Sequence, residues 1–168
     1  MIEVELTGPE LVTVGYTGVP GQRTFYLQAK GEQERVTLLM EKEQVVGIAE
    51  LLSQLLARLG DAPAAEWDRA ALGLRMPLEP RWRVGEISVG LDPTTDQFVL
   101  ELGELVEDEA EPREVRLWLD LDQARRLAAH AAEILGQGRP TCQLCGRPTE
   151  PDGAHVCPAS NGHGRLGR

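Results

Sequence analysis

Met40-Glu41-Lys42-Glu43-Gln44-Val45 and Leu119-Asp120-Leu121-Asp122-Gln123-Ala124 present the same order of residue types twice in one chain. In both places the match falls where an expected strand passes into an expected helix. The match runs on without a gap: Val45, Ile48, Ala49, Leu52, Leu55 and Leu56 fall on Ala124, Leu127, Ala128, Ala131, Ile134 and Leu135. Spacings of three and four make one apolar stripe per helix. Upstream, Val12-Thr13-Val14-Gly15 answers Ile87-Ser88-Val89-Gly90, while Phe25 and Leu27 answer Phe98 and Leu100. A period of this kind restricts the fold more than any composition does. It predicts an internal repeat of two β-β-β-α units, with copies at about 1–60 and 82–138.

In the first copy the strands are expected at Leu11–Tyr16, Arg23–Ala29 and Arg35–Met40, and the helix from Lys42 to Leu59, ended by Gly60. In the second they are expected at Glu86–Leu91, Gln97–Leu102 and Val115–Leu119, and the helix from Leu121 to Leu135, ended by Gly136. Phe25, Leu27 and Ala29 alternate with Thr24, Tyr26 and Gln28, so one face of the strand reads as apolar and the other as polar. Connections between successive strands are too short for parallel crossovers. The fold class is therefore α+β, with antiparallel sheet. Leu39 and Trp118 stand on the nominally polar faces, which points to a second buried layer or a dimer contact. Residues 61–81 read as a linker with a short helix around Ala64–Leu72.

The chain has 168 residues, 42% of them apolar, enough for one domain of ordinary size and a small appendage. Its longest apolar stretch, Val45 to Leu59, contains Glu50, Ser53, Gln54 and Arg58, so no membrane span is expected. Glu3 and Glu5 occupy the place where an export signal is basic, which favours the cytoplasm. Residues 1–138 hold 13 Lys and Arg against 25 Asp and Glu, whereas residues 139–168 hold four arginines against two acids. The acidic body argues against nucleic acid as its partner, leaving only the basic tail for RNA contact. Glu104–Glu114 is an acid-rich run without the spaced pattern of a calcium loop, and is expected to be a solvated loop.

All three cysteines lie in the tail, in Cys142-Gln143-Leu144-Cys145-Gly146 and His155-Val156-Cys157-Pro158. Cys-x-x-Cys brings two thiolates together from one turn, and His155 and Cys157, two apart, leave an extended segment on the same side. Four donors close a tetrahedral shell and leave no open position, so the expected site is a structural Zn²⁺ held by Cys142, Cys145, His155 and Cys157. His163 competes for the fourth place, but the shorter tether of His155 costs less ordering entropy. A redox Cys-x-x-Cys would open a helix, which Pro140 before it and Gly146-Arg147-Pro148 after it disfavour. Unliganded thiols are the remaining reading.

Gly18-Val19-Pro20-Gly21-Gln22-Arg23-Thr24-Phe25-Tyr26-Leu27-Gln28-Ala29, Glu41-Lys42-Glu43-Gln44-Val45, Trp82-Arg83-Val84-Gly85 and the tail from Gly138 through Cys157 to Gly162 resemble a bacterial family catalogued as domain of unknown function 3090. The resemblance covers nearly the whole chain. It implies that body and tail are one unit, and it supplies no catalytic residue. The sequence shows no nucleophile elbow, phosphate-cradling glycine loop or histidine paired with a plausible catalytic serine. His130 sits beside the second helical stripe and is expected to be structural. The favoured function is a non-enzymatic module whose zinc knuckle contacts a protein partner. The alternative is an enzyme holding a small anionic ligand between the copies, through Arg23, Tyr26, Glu41, Lys42 or Gln44.

Overall fold

A computed structural model describes residues 1–60, 66–107, 110–136, 142–147, 149 and 155–160. The strands are β1 (Ile2–Thr7), β2 (Leu11–Thr17), β3 (Thr24–Lys30), β4 (Arg35–Met40), β5 (Val84–Asp92), β6 (Gln97–Glu104) and β7 (Glu114–Leu119). Two helices, α1 (Lys42–Arg58) and α2 (Leu121–Gly136), follow β4 and β7. The chain is thus α+β, and β2-β3-β4-α1 and β5-β6-β7-α2 are two units of the same element order. Each unit's strands form an antiparallel meander in sequence order.

β1 was not expected, and it explains how the units join. It leaves its own unit and pairs in parallel with β7, giving a four-stranded sheet β1-β7-β6-β5. Through Gly8, Pro9 and Glu10 it then runs into β2 of the three-stranded sheet β2-β3-β4. The approach to β5 does the reverse. Arg81 N donates to Thr37 O and Leu39 N to Trp82 O, both at 2.9 Å, and Leu39 makes a parallel bridge with Arg83 before the chain enters β5. Each unit therefore lends its leading segment to the other's sheet. The two leads are also tied together, since Trp82 Nε1 donates to Glu3 Oε2 at 2.8 Å.

The helices are exchanged in the same sense. α1 packs on α2 and on β5, while α2 packs on β2. Val45, Ile48, Ala49 and Leu52 of α1 are buried, as are Ala124, Leu127, Ala128, Ala131 and Ile134 of α2, so both apolar stripes face inward as their spacing predicts. With Phe98, Leu100 and Leu117 from one sheet and Leu27 and Leu38 from the other, they form a single hydrophobic cluster. The repeated junction has a physical reason. Gln44 Oε1 accepts from Glu41 N at 2.8 Å, and Gln123 Oε1 accepts from Asp120 N at 3.0 Å, closing the helix starts. The amide of each glutamine then reaches the other unit: Gln44 Nε2 donates to Val84 O at 2.9 Å, and Gln123 Nε2 to Pro9 O at 2.7 Å.

Two expectations need correction. The linker helix around Ala64–Leu72 is, over its described part, only a 3₁₀ turn at Arg69–Leu72, started by Asp68 accepting from Ala70 N and stopped at Gly73. Four residues between a cap and a glycine are too few for an α-helix. The outer face of β2–β4 is also not a solvated polar face. Thr13 and Gln28 have no exposed surface and Thr37 is buried. The segment after α1 roofs them: Thr13 donates to Leu72 O at 2.5 Å, and Gln28 donates to Arg75 O at 3.0 Å while accepting from Arg75 N at 2.7 Å. This linker layer covers Thr13 and Gln28, whereas Leu39, which pointed to a second buried layer or a dimer contact, is itself only half-buried.

Candidate metal centre

The Cys142–Arg147 loop closes on itself. Gly146 N donates to Cys142 O and Cys142 N to Arg147 O, both at 2.8 Å. Gly146 has φ of 70°, a left-handed conformation that side chains disfavour, and this lets the chain double back beneath the two sulfurs. The second donor pair comes from His155 and Cys157, just before the 3₁₀ turn Pro158–Ser160.

The donor atoms of Cys142, Cys145, His155 and Cys157 all lie within 4.8 Å of one another. Cys142 Sγ is 3.8 Å from Cys157 Sγ, and Cys145 Sγ is 3.3 Å from His155 Nε2. All three cysteines are free, and 3.8 Å is far beyond a disulfide length. A tetrahedron with metal–sulfur arms of about 2.3 Å has an edge of about 3.8 Å, so the spacing fits a shared ion. The amides of Cys145 and Leu144 point at the Cys142 sulfur and pull its thiol below the ordinary range, whereas loss of solvent pushes the Cys157 thiol up. The Cys₃His group can therefore hold a metal ion. His163, the competing donor, lies outside the described residues.

The other residues singled out from the sequence lie in the body. His130 on α2 donates from Nε2 to Val14 O at 2.9 Å, and burial holds its pKa below the ordinary 6.5. Arg23 stacks over the Tyr16 ring at 3.9 Å, Glu41 pairs with Arg83, and Gln44 is committed to β5. Tyr26 lies in the β3 ladder between Gly15 and Leu39, and Lys42 is exposed at the start of α1. No helix among the described residues is long and apolar enough to cross a membrane. Sequence reasoning missed the cross-unit role of Gln44 and Gln123, although it had marked the junction that contains them.

These features define an α+β protein of two interleaved units followed by a Cys₃His segment able to bind metal. The chain belongs to the family described as Protein of unknown function (DUF3090), whose profile matches residues 4–157, from within β1 to the last donor cysteine. No curated protein and no solved structure matches it.

Proposed function

We propose that Cys142, Cys145, His155 and Cys157 hold one structural Zn²⁺, and that the protein is a cytoplasmic, non-enzymatic module whose knuckle contacts a protein partner. The observation that carries this reading is the convergence of four donor atoms within 4.8 Å from two short segments. Three sulfurs and one imidazole nitrogen suit zinc better than hard cations, which prefer oxygen. With four protein donors there is no open coordination position for substrate, so the ion's work is to order the tail. The common element order of the two units, with Gln44 and Gln123 bridging to Val84 and Pro9, supports descent from one duplicated unit.

Metal analysis of the full chain, purified under reducing conditions without chelator, should find about one zinc per chain; a metal-free protein would end the zinc reading. For the partner, tagged full chain and its Cys145→Ser variant are compared in native host lysate. A stoichiometric protein recovered by the first and lost by the second is expected. Failure to recover one with either would count against the interaction role.

A further inference from the structure

The 3₁₀ turn Arg69–Leu72 is fastened from two sides: Thr13 of β2 donates to Leu72 O, and Arg69 pairs with Glu133 of α2 at 3.1 Å. Between this turn and α2 is an open cleft of about 330 Å³, lined among the described residues by Glu66, Trp67, Asp68, Ala71, Leu72 and Arg126. Two donors belonging to that lining have no acceptor. Trp67 Nε1 and Arg126 Nε are buried and make no hydrogen bond. A buried N–H left unpaired costs free energy, and folded proteins rarely leave two beside one opening. The rest of the Arg126 guanidinium is held in place, since Nη2 donates to Asp122 Oδ2 at 2.9 Å, one turn earlier in α2. Trp67 is half-buried and the Arg126 side chain 42% exposed, and neither belongs to the hydrophobic cluster. Either can therefore turn its N–H toward a guest in the cleft without disturbing the core.

The chemistry of the lining selects the guest. Two unpaired N–H donors call for acceptor oxygens, and a carboxylate offers two in one planar group that suits a guanidinium edge. Charge adds a second requirement. Arg126 is already balanced by Asp122, and the cleft also carries the carboxylates of Glu66 and Asp68. A bare anion would meet that negative charge with no counter-ion, so the guest must bring a cation of its own. Asp68 gives one oxygen to Ala70 N at 2.9 Å, which fixes it at the start of the turn and leaves the other oxygen for an ammonium. The remaining walls, Ala71, Leu72 and the Trp67 ring, are apolar. Carboxylate, ammonium and a short apolar body together describe an α-amino acid, and the cleft is of the size that small ligands occupy.

We propose that the cleft between the Arg69–Leu72 turn and α2 binds a small zwitterion of the α-amino acid class, its carboxylate taken by Trp67 Nε1 and Arg126 Nε and its ammonium by Glu66 and Asp68. The site uses no residue of the Cys₃His tail, so it stands or falls apart from the metal.

The test is a titration of the full chain with L-leucine, followed through the indole N–H signals of Trp67, Trp82 and Trp118 in ¹H–¹⁵N spectra and assigned through single Trp→Phe variants. The Trp67 signal should shift saturably while those of Trp82 and Trp118, bonded to Glu3 and Glu5, stay in place. Arg126→Gln should weaken binding by about tenfold, the worth of one charge-assisted hydrogen bond. Ala71→Leu fills the cleft without removing a donor and should abolish the shift. N-acetyl-L-leucine, which lacks the ammonium, and L-leucinamide, which lacks the carboxylate, should each bind more weakly than L-leucine. A Trp67 signal that L-leucine does not move would overturn the site, because water alone would then serve the two donors. Equal binding of L-leucine and either derivative would overturn the zwitterion, and an undiminished shift in Ala71→Leu would place the ligand elsewhere.

Discussion

Gln44→Glu is a near-isosteric change whose effect follows from two hydrogen bonds. In the native chain Gln44 Nε2 donates to Val84 O at 2.9 Å and to Gly85 O at 3.3 Å, while Oε1 accepts from Glu41 N. A glutamate keeps the acceptor for Glu41 N but turns an oxygen toward two carbonyls. Two lost donor bonds at about 0.5–1.5 kcal/mol each, together with a carbonyl left unsatisfied at the buried Val84, give an expected loss of about 2–3 kcal/mol at neutral pH. The pH dependence gives the argument its sharper edge. The protonated carboxyl can donate to Val84 O and the ionised one cannot, so folding raises this group's pKa above its unfolded value of about 4.3. Stability from the protonated form is full below the unfolded pKa and disappears as pH rises through the folded one. The deficit against the native chain should therefore shrink as pH falls from 8 toward 5.5. Urea unfolding followed by tryptophan fluorescence measures it. Gln123→Glu, which loses one bond to Pro9 O, should cost less, at about 1–2 kcal/mol. A Gln44→Glu protein within about 0.3 kcal/mol of native at pH 7 would refute the bridging role, as would a deficit that ignores pH.

Leu52 has no exposed surface, so Leu52→Ala should lower stability by about 2–5 kcal/mol in the same assay; a loss under 1 kcal/mol would mean that the core closes over the gap. Burial depresses the His130 pKa below 6.5, against the opposing influence of the Val14 carbonyl and Glu133. A depressed pKa gives stability that is full above the unfolded value and lost as pH falls through the folded one. Native urea midpoints should accordingly fall below about pH 6.5, and His130→Gln, which can still donate to Val14 O, should flatten that part of the profile. Cys145→Ser should abolish metal binding while circular dichroism keeps the signal of the body, because among the described residues the hydrophobic cluster and the apolar residues packed on it end at Leu135. Gly15→Ala should cost about 1–3 kcal/mol through collision with Leu74, whereas Gly90→Ala, which among the described residues meets only Val99, should cost less when compared by thermal unfolding.

What the sequence disclosed was local. The β-β-β-α order, the two apolar stripes and the donor spacing of the tail each lie within a few turns of chain, where periodicity and capping leave a readable trace. β1 left almost none. In Ile2–Thr7 only Val4 is buried, and its partner β7 lies more than a hundred residues away, so no hairpin turn marks it. Thr13, Gln28 and Thr37 alternate with apolar residues as a solvated face would, yet they are buried: a later segment offers backbone groups to Thr13 and Gln28, and Gln28 donates to the Thr37 hydroxyl. Polarity records what a side chain bonds to, and here the bonding partner was protein rather than water. His155 was legible as a donor because it stands two residues from Cys157.

Interleaving also limits where function can reside. Neither unit owns a complete sheet, since β1 completes the sheet of the second unit and the lead into β5 completes that of the first. α1 packs on β5 and α2 on β2, so cutting the chain between units would expose both apolar stripes at once. The body is accordingly one cooperative object, and its two halves cannot move apart as hinged domains do without breaking strand pairs, the Gln44 and Gln123 bridges and the Trp82–Glu3 bond. Among the described residues the interior between the units is filled by one hydrophobic cluster, and the segment after α1 covers the outer face of the three-stranded sheet at Thr13 and Gln28.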